Sequence, residues 1–410
     1  MEEGTPIKVE IIEKNGHYQL IRGGSPYVIK GAGLNGDVNS LKAHGANSFR
    51  TWGIGNEFET GKQVLDKAQA NGMTVLMCIY VHPERHGMNY DSAEMVAAQF
   101  ERIKTEVLEI KDHPALLAWS IGNELNLNYT NPKVYDAVNE ISMWLHDVDP
   151  NHPTTTTVAS LNPDLIKNIK ERASDIDFLS VQVYGDLFVL QDLLAESNWT
   201  KPYMVTEWGT IGHWEMEATE WGASVEQTST EKAATYLKGY EKSIKPYGDQ
   251  CIGNYVFLWG QKQERTPTWY GMFLETGEET ETVDMMHYIW NNEWPQNRAP
   301  TLDSMTLDGK TSRQNVYLKP GVAYEAKVVS RDYEEDVRYY NWVVMRESTE
   351  KKEGGDKESV PEQISMISQP EKSLITLNAP KEEGAYRLFV YVYDGNGHAA
   401  HANIPFYVKK

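Results

Sequence analysis

The chain is short of positive charge: 39 Lys and Arg stand against 59 Asp and Glu in 410 residues, a formal charge of −20. No basic run interrupts this deficit. Such a field repels phosphate backbones and anionic lipid, so nucleic acid is not an expected partner and an uncharged one is favoured. Cysteine is scarce too, and Cys78 and Cys251 both sit in apolar runs without metal or redox spacing, so buried free thiols are expected rather than a disulfide. No membrane-length apolar run is present, and no leader pattern follows the opening Met-Glu-Glu-Gly, which leaves an intracellular protein or one whose leader has been removed. Gly-x-Gly-x-x-Gly opens none of the helix-like segments, which excludes the dinucleotide fingerprint. His-Glu-x-x-His is missing as well. His82 and His86 flank Glu84, but Pro83 breaks the helix that would present both, so neither a metal nor a cofactor is expected.

Aromatic surface, by contrast, is plentiful. Twelve Trp and 23 Tyr in a chain that is only 40% hydrophobic exceed what a core needs and suit stacking on sugar rings. The length fits a barrel of about 250 residues followed by a sandwich of about 100.

Residues 7–29 read as strands broken by Asn15-Gly16 and Gly23-Gly24, a hairpin region drawn at 1–25 that caps the barrel floor. Strand-like runs near 27–32, 46–51, 74–81, 115–122, 154–159, 177–184, 202–206 and 253–259 then alternate with amphipathic segments. Eight such units close most economically into a (β/α)8 barrel over 26–292. The segment 209–229 after the seventh strand is long and carries His213, Trp214 and Trp221, as expected of a wall beside a cleft. Two prolines in 293–300 end the barrel at a linker. Short alternating strands over 301–410, with turns such as 394–397 (Asp-Gly-Asn-Gly), predict an Ig-like β-sandwich domain.

Residues 118–125 (Ala-Trp-Ser-Ile-Gly-Asn-Glu-Leu) and 202–209 (Pro-Tyr-Met-Val-Thr-Glu-Trp-Gly) are apolar runs that each carry a single glutamate near their end. In (β/α)8 barrels the loops at the carboxyl ends of the strands carry the chemistry, so Glu124 and Glu207 form a candidate carboxylate pair. Two carboxylates flanking one bond are what glycoside hydrolysis requires. Arg50, at the end of the second strand, fits the fixed cation that keeps one of two neighbouring acids ionised. Asn123 is placed to bond a sugar 2-hydroxyl. Trp259, ending the eighth strand, is expected to floor the subsite of the cleaved sugar, and Trp52, His82, Trp208 and Trp214 to line its walls.

Asn123-Glu124 after one strand, Glu207-Trp208 after another and residues 47–50 (Asn-Ser-Phe-Arg) resemble clan A of the glycoside hydrolases, over residues 26–292. Within the clan, residues 50–53 (Arg-Thr-Trp-Gly), the Trp-Gly endings and the Ig-like tail look most like family 158, the Bacteroidetes β-1,3-glucanases. The resemblance implies a retaining mechanism with Glu124 as acid/base and Glu207 as nucleophile, and Tyr184 as the residue orienting the nucleophile. It further implies a monomer acting without cofactor on a polysaccharide, most of all inside β-1,3-glucan chains, and located outside the cell, on its surface or in the periplasm. Other clan substrates, β-mannan, β-1,4-glucan or a galactoside, keep the mechanism and change the glycan. A carbohydrate-binding protein without catalysis would be expected to have lost one of the glutamates.

Overall fold

The computed structural model describes residues 4–352, 355–368 and 371–410; the first three residues of the hairpin region at 1–25 lie outside them. By their internal contacts, the residues form two compact units: Met1–Trp208 with Gly239–Phe257, and Gly209–Lys238 with Leu258–Lys410.

The first unit opens with a three-stranded antiparallel sheet, β1 (Val9–Lys14), β2 (His17–Arg22) and β3 (Ser25–Pro26). Eight parallel strands follow: β4 (Gly31–Asn35), β5 (Ser48–Arg50), β6 (Thr74–Ile79), β7 (Leu116–Asn123), β8 (Thr154–Ala159), β9 (Phe178–Gln182), β10 (Tyr203–Glu207) and β11 (Cys251–Gly260). They close in the order β10-β11-β4-β5-β6-β7-β8-β9, a (β/α)8 barrel. The opening sheet lays Val9, Ile11, Tyr18 and Leu20 against Leu76, Leu117, Phe178, Met204 and Ile252, residues in the first half of their strands, and so covers the amino-terminal floor.

The first barrel strand begins four residues later than the expected 27–32. The side chain of Asn47 accepts from Lys30 N and donates to the carbonyl of Val28, both at 2.8 Å, so these two backbone groups bond a side chain where a strand ladder would have paired them. β8 is a run of four buried threonines whose hydroxyls are all bonded, Thr156 to the Ile121 carbonyl at 2.7 Å and Thr157 with Ser120 at 2.7 Å, which lets a polar sequence serve as a central strand.

Between the strands run α1 (Val38–Ala43), α2 (Gly61–Ala70), α3 (Ala93–Ile110), α4 (Val134–Val148), α5 (Pro163–Arg172) and α6 (Leu190–Glu196). Their starts follow from local chemistry: Thr60 and Gln63 exchange side-chain and backbone bonds in a capping box ahead of α2, and Asn162 caps α5, whose first residue is Pro163. Among the described residues no helix is long and apolar enough to cross a membrane.

The second unit contains most of α7 (Ser229–Gly239), α8 (Glu281–Asn291) and two sheets. One sheet pairs β12 (Thr301–Leu307), β14 (Ala323–Arg331) and β17 (Leu374–Asn378). The other orders β13 (Val316–Leu318), β19 (Ala399–Val408), β18 (Gly384–Tyr393), β15 (Tyr339–Arg346) and β16 (Gln363–Ser368). Trp342, Val328, Leu377, Leu388 and Phe406 meet between the two sheets in one apolar core.

The segment after β10 is bolted to this β domain through a buried polar network. Lys232 Nζ donates to Glu226 Oε1 and to the Thr268 carbonyl, each at 2.6 Å. The other Glu226 oxygen accepts from Thr266 at 2.7 Å and from Asn403 on β19 at 2.6 Å. Burial pushes the Glu226 carboxyl up, but the Lys232 and His401 charges and the hydrogen bonds outweigh it and hold the pKa down at about 2.

Candidate active site

Both glutamates sit where the barrel's ladder is irregular. The β7–β8 pairing slips between Ser120 and Asn123, and the β9–β10 pairing slips between Val205 and Glu207. A slip of this kind re-aims the following side chain, here at the carboxyl ends of the fourth and seventh barrel strands. Glu124 completes its turn in the left-handed region, at φ 48°, which costs a non-glycine residue roughly 1–3 kcal/mol unless its surroundings hold it there. Glu124 N donates to the Thr157 carbonyl at 3.0 Å, and its own carbonyl accepts from Arg85 Nη1 at 3.0 Å and Leu127 N at 3.2 Å. Gly122 (φ 78°) is required two residues earlier, because a Cβ there would meet Leu125 at 2.5 Å.

Glu207 is 5% exposed and surrounded by donors. Its Oε1 accepts from Arg50 Nη1 at 2.7 Å, Trp52 Nε1 at 3.0 Å and Gln182 Nε2 at 3.0 Å. Its Oε2 accepts from the Tyr184 hydroxyl at 2.9 Å. Three donors saturate one oxygen, while the other keeps a lone pair for an incoming atom. Arg50 also donates through Nη2 to Asn123 Oδ1 at 2.7 Å, the same oxygen that takes Gln182 Nε2 at 2.8 Å. The guanidinium lies 4.9 Å from the centre of the Trp52 ring, which meets Phe257 edge-on. That ring fits against β4 only because residue 33 is glycine; a Cβ there would come within 2.8 Å of it. Just behind the pair, burial pushes the Cys78 thiol up to about 12, Arg50 opposing the shift and Glu207 adding to it.

Arg50, Trp52, Asn123, Tyr184 and Glu207 are thus brought into one bonded cluster, with Glu124 following Asn123 in the chain. His82, expected beside them, is half-buried and held by its backbone: its N–H donates to Gln99 at 2.8 Å, its carbonyl accepts from Tyr90 at 2.6 Å, and its ring meets Tyr80 edge-on. Trp208, expected on a cleft wall, and Trp259, expected as the floor of the subsite, have no exposed surface. Trp208 stacks on Tyr240 and donates to Asn254 Oδ1 at 3.1 Å, and Trp259 packs against Phe273 and Trp290. A sugar needs an open ring face, and these rings spend theirs on protein. Trp214 is 61% exposed and stands edge-on to His213. Gln182 was not anticipated. Its one signal is a buried amide in the apolar run of β9, two residues before Tyr184.

A parallel eight-stranded barrel with glutamates at the ends of its fourth and seventh strands, one clamped by a buried arginine, is a glycoside-hydrolase barrel of the clan A kind. Residues 25–260 match the family described as glycosyl hydrolases family 2, TIM barrel domain, and the chain belongs to that family. It is 24% identical to mannan endo-1,4-beta-mannosidase F of Aspergillus clavatus, over 43% of this chain and 54% of that protein. Among solved structures it is similar to beta-glucuronidase 2 of Bacteroides uniformis, covalently bound to cyclophellitol-6-carboxylate aziridine, at a TM-score of 0.54 and 13% identity, covering 98% of this chain and 48% of that one. It is also similar to a glycoside hydrolase family 5 mannosidase of Rhizomucor miehei, at a TM-score of 0.50 and 13% identity, covering 70% and 97% of the respective chains. At such identities these two structural likenesses concern the fold alone. The chain spans about half the length of the mannosidase F and of the beta-glucuronidase.

Proposed function

We propose that the protein is a retaining β-glycosidase in which Glu207 is the nucleophile and Glu124 the acid/base. The observation that carries this reading is the set of four donors on Glu207, among them a buried guanidinium, which fixes the carboxyl group in place and leaves Oε2 the less occupied oxygen. In the first step Glu207 Oε2 forms a bond to the anomeric carbon while the glycosidic bond breaks and Glu124 gives its proton to the departing oxygen. In the second, Glu124 takes a proton from water, whose oxygen displaces Glu207 and restores the original anomeric configuration. Asn123, oriented by Arg50 and Gln182, bonds the 2-hydroxyl of the sugar, a contact that strengthens as positive charge develops at the ring.

The substrate is a neutral glycan, in keeping with the net charge of −20. The finer resemblance to family 158 favours internal cleavage of β-1,3-glucan by a monomer outside the cell, at its surface or in the periplasm. A second reading, β-mannan, is favoured by the likeness to the A. clavatus mannosidase. Product analysis on laminarin, mixed-linkage glucan, a cellulose derivative and mannan separates them. A ladder of oligosaccharides from laminarin supports the first reading; glucose as the sole early product, or cleavage of mannan with laminarin untouched, overturns it.

A further inference from the structure

Two adjacent residues without a part in the two chemical steps grip the segment that carries Glu124. Pro83 and the left-handed Gly87 (φ 92°) bound a single 3-10 turn, Glu84–His86, in the loop after β6. From this turn Glu84 reaches the loop after β7: Oε2 accepts from Thr130 N at 2.5 Å and Asn131 N at 2.9 Å, and Oε1 from the Thr130 hydroxyl at 2.8 Å. Arg85 reaches the other end of the same loop and donates to the Glu124 carbonyl at 3.0 Å. The stretch bearing the turn is itself tied down, because Gln99 on α3 takes the His82 N–H and Arg102 on α3 donates to the Tyr80 carbonyl at 2.5 Å.

We propose that Glu84 and Arg85 are positioning residues for the acid/base, holding the left-handed backbone of Glu124 so that its carboxyl meets the leaving oxygen. The inference rests on the reading of Glu124 given above. Without Arg85 only the Leu127 N–H, at 3.2 Å, holds the Glu124 carbonyl; with that weaker hold a residue at φ 48° relaxes towards negative φ, and the rotation swings the side chain away from its station. Proton transfer in a transition state depends steeply on such placement. Burial would raise the Glu84 pKa, but the Asn131 and Thr130 hydrogen bonds overcome it and hold the pKa below the ordinary carboxylate value, so near neutral pH the clamp is ionised.

The test is leaving-group dependence, which a purely structural role does not alter. Phenyl and 2,4-dinitrophenyl β-glycosides of the disaccharide matching the polysaccharide that is cleaved are compared in the wild type, Arg85→Ala, Arg85→Lys, Glu84→Gln and Glu124→Gln. Dinitrophenolate departs without a proton, phenolate needs one. General acid catalysis contributes about 100- to 10,000-fold, so Arg85→Ala is expected to lose about 10- to 100-fold in kcat/KM on the phenyl glycoside and less than about threefold on the dinitrophenyl one. Glu84→Gln should lose less with the same selectivity, and Arg85→Lys, which keeps a donor, should recover part of the loss. If Arg85→Ala does not fold, the lysine variant and Glu84→Gln carry the comparison. Should Glu124→Gln show no leaving-group selectivity, the acid/base reading is at fault. If it does while the Arg85 and Glu84 variants fall equally on both substrates, or on neither, the positioning proposal is overturned.

Discussion

Arg50 Nη1 lies 2.7 Å from Glu207 Oε1 with the two side chains 1% and 6% exposed, and the other terminal nitrogen of the same guanidinium holds Asn123. One cation therefore orients both the proposed nucleophile and the residue next to the proposed acid. Removing one partner of a buried pair strands the other, so Arg50→Ala is expected to destabilise the fold by about 3–5 kcal/mol. Arg50→Lys should recover some stability and little activity, because an ammonium cannot reproduce the two-pronged geometry. Urea unfolding beside kcat/KM measures both, and a lysine variant with near wild-type turnover would refute the shared-orientation argument.

Glu124→Gln and Glu207→Gln keep the shape of the side chain and remove its chemistry. Glu124→Gln should leave the unfolding transition largely unchanged, whereas Glu207→Gln also strands the buried Arg50 guanidinium and should lower stability; in each, turnover falls by about 100-fold or more. Proton NMR of the first product formed should show the β-anomer. An α-anomer would point to inversion, with the carboxyl groups about 6.5–9.5 Å apart rather than about 5–5.5 Å.

In the second unit, burial pushes Glu281 on α8 up to about 8 from an ordinary 4.5, with Asp284 adding to the shift, and pushes Asp284 up to about 6 from 3.8. A carboxyl whose folded pKa is raised keeps its proton longer in the native state, so stability falls as pH rises from the unfolded pKa to the folded one. Between about pH 4 and 8 the protein should therefore lose stability from these two sites, on the order of a few kcal/mol in all. Glu281→Gln should flatten the curve and stabilise the alkaline end. An unchanged pH dependence of the urea midpoint in that variant would count against the assignment.

Cys78 and Cys251 are free and buried, with thiols pushed up by burial to about 12 and about 11. The native protein at pH 8 should resist thiol-modifying reagents, and both residues should react once it is unfolded. Rapid labelling of the native protein, read by mass spectrometry, would disprove this.

The barrel was legible because its signals are local: apolar strands alternate with capped amphipathic helices, and period and capping are written within ten or twenty residues. The same holds for the two glutamates, each near the end of its own apolar run. What escaped depends on distant partners. Arg85 meets Glu124 across 39 positions, and only the folded chain shows that Asn47 takes the Lys30 N–H and delays the first strand. The tryptophans mislead for another reason. Abundance says nothing about exposure, and Trp208 and Trp259 face protein while Trp214 faces solvent.

The Glu226–Lys232 network gives the carboxyl-terminal sheet a standing that its place in the chain hides. Asn403, near the very end, completes the hydrogen bonding of a carboxylate that lies in the excursion following the seventh strand. A shuffled gene that exchanged either piece alone would bury a charge beside an empty amide position, so the two are expected to be inherited together. Excising the sheet to prepare a minimal barrel would for the same reason unsettle that excursion, and the two are better regarded as one folding piece than as a barrel loop and a separate appendage.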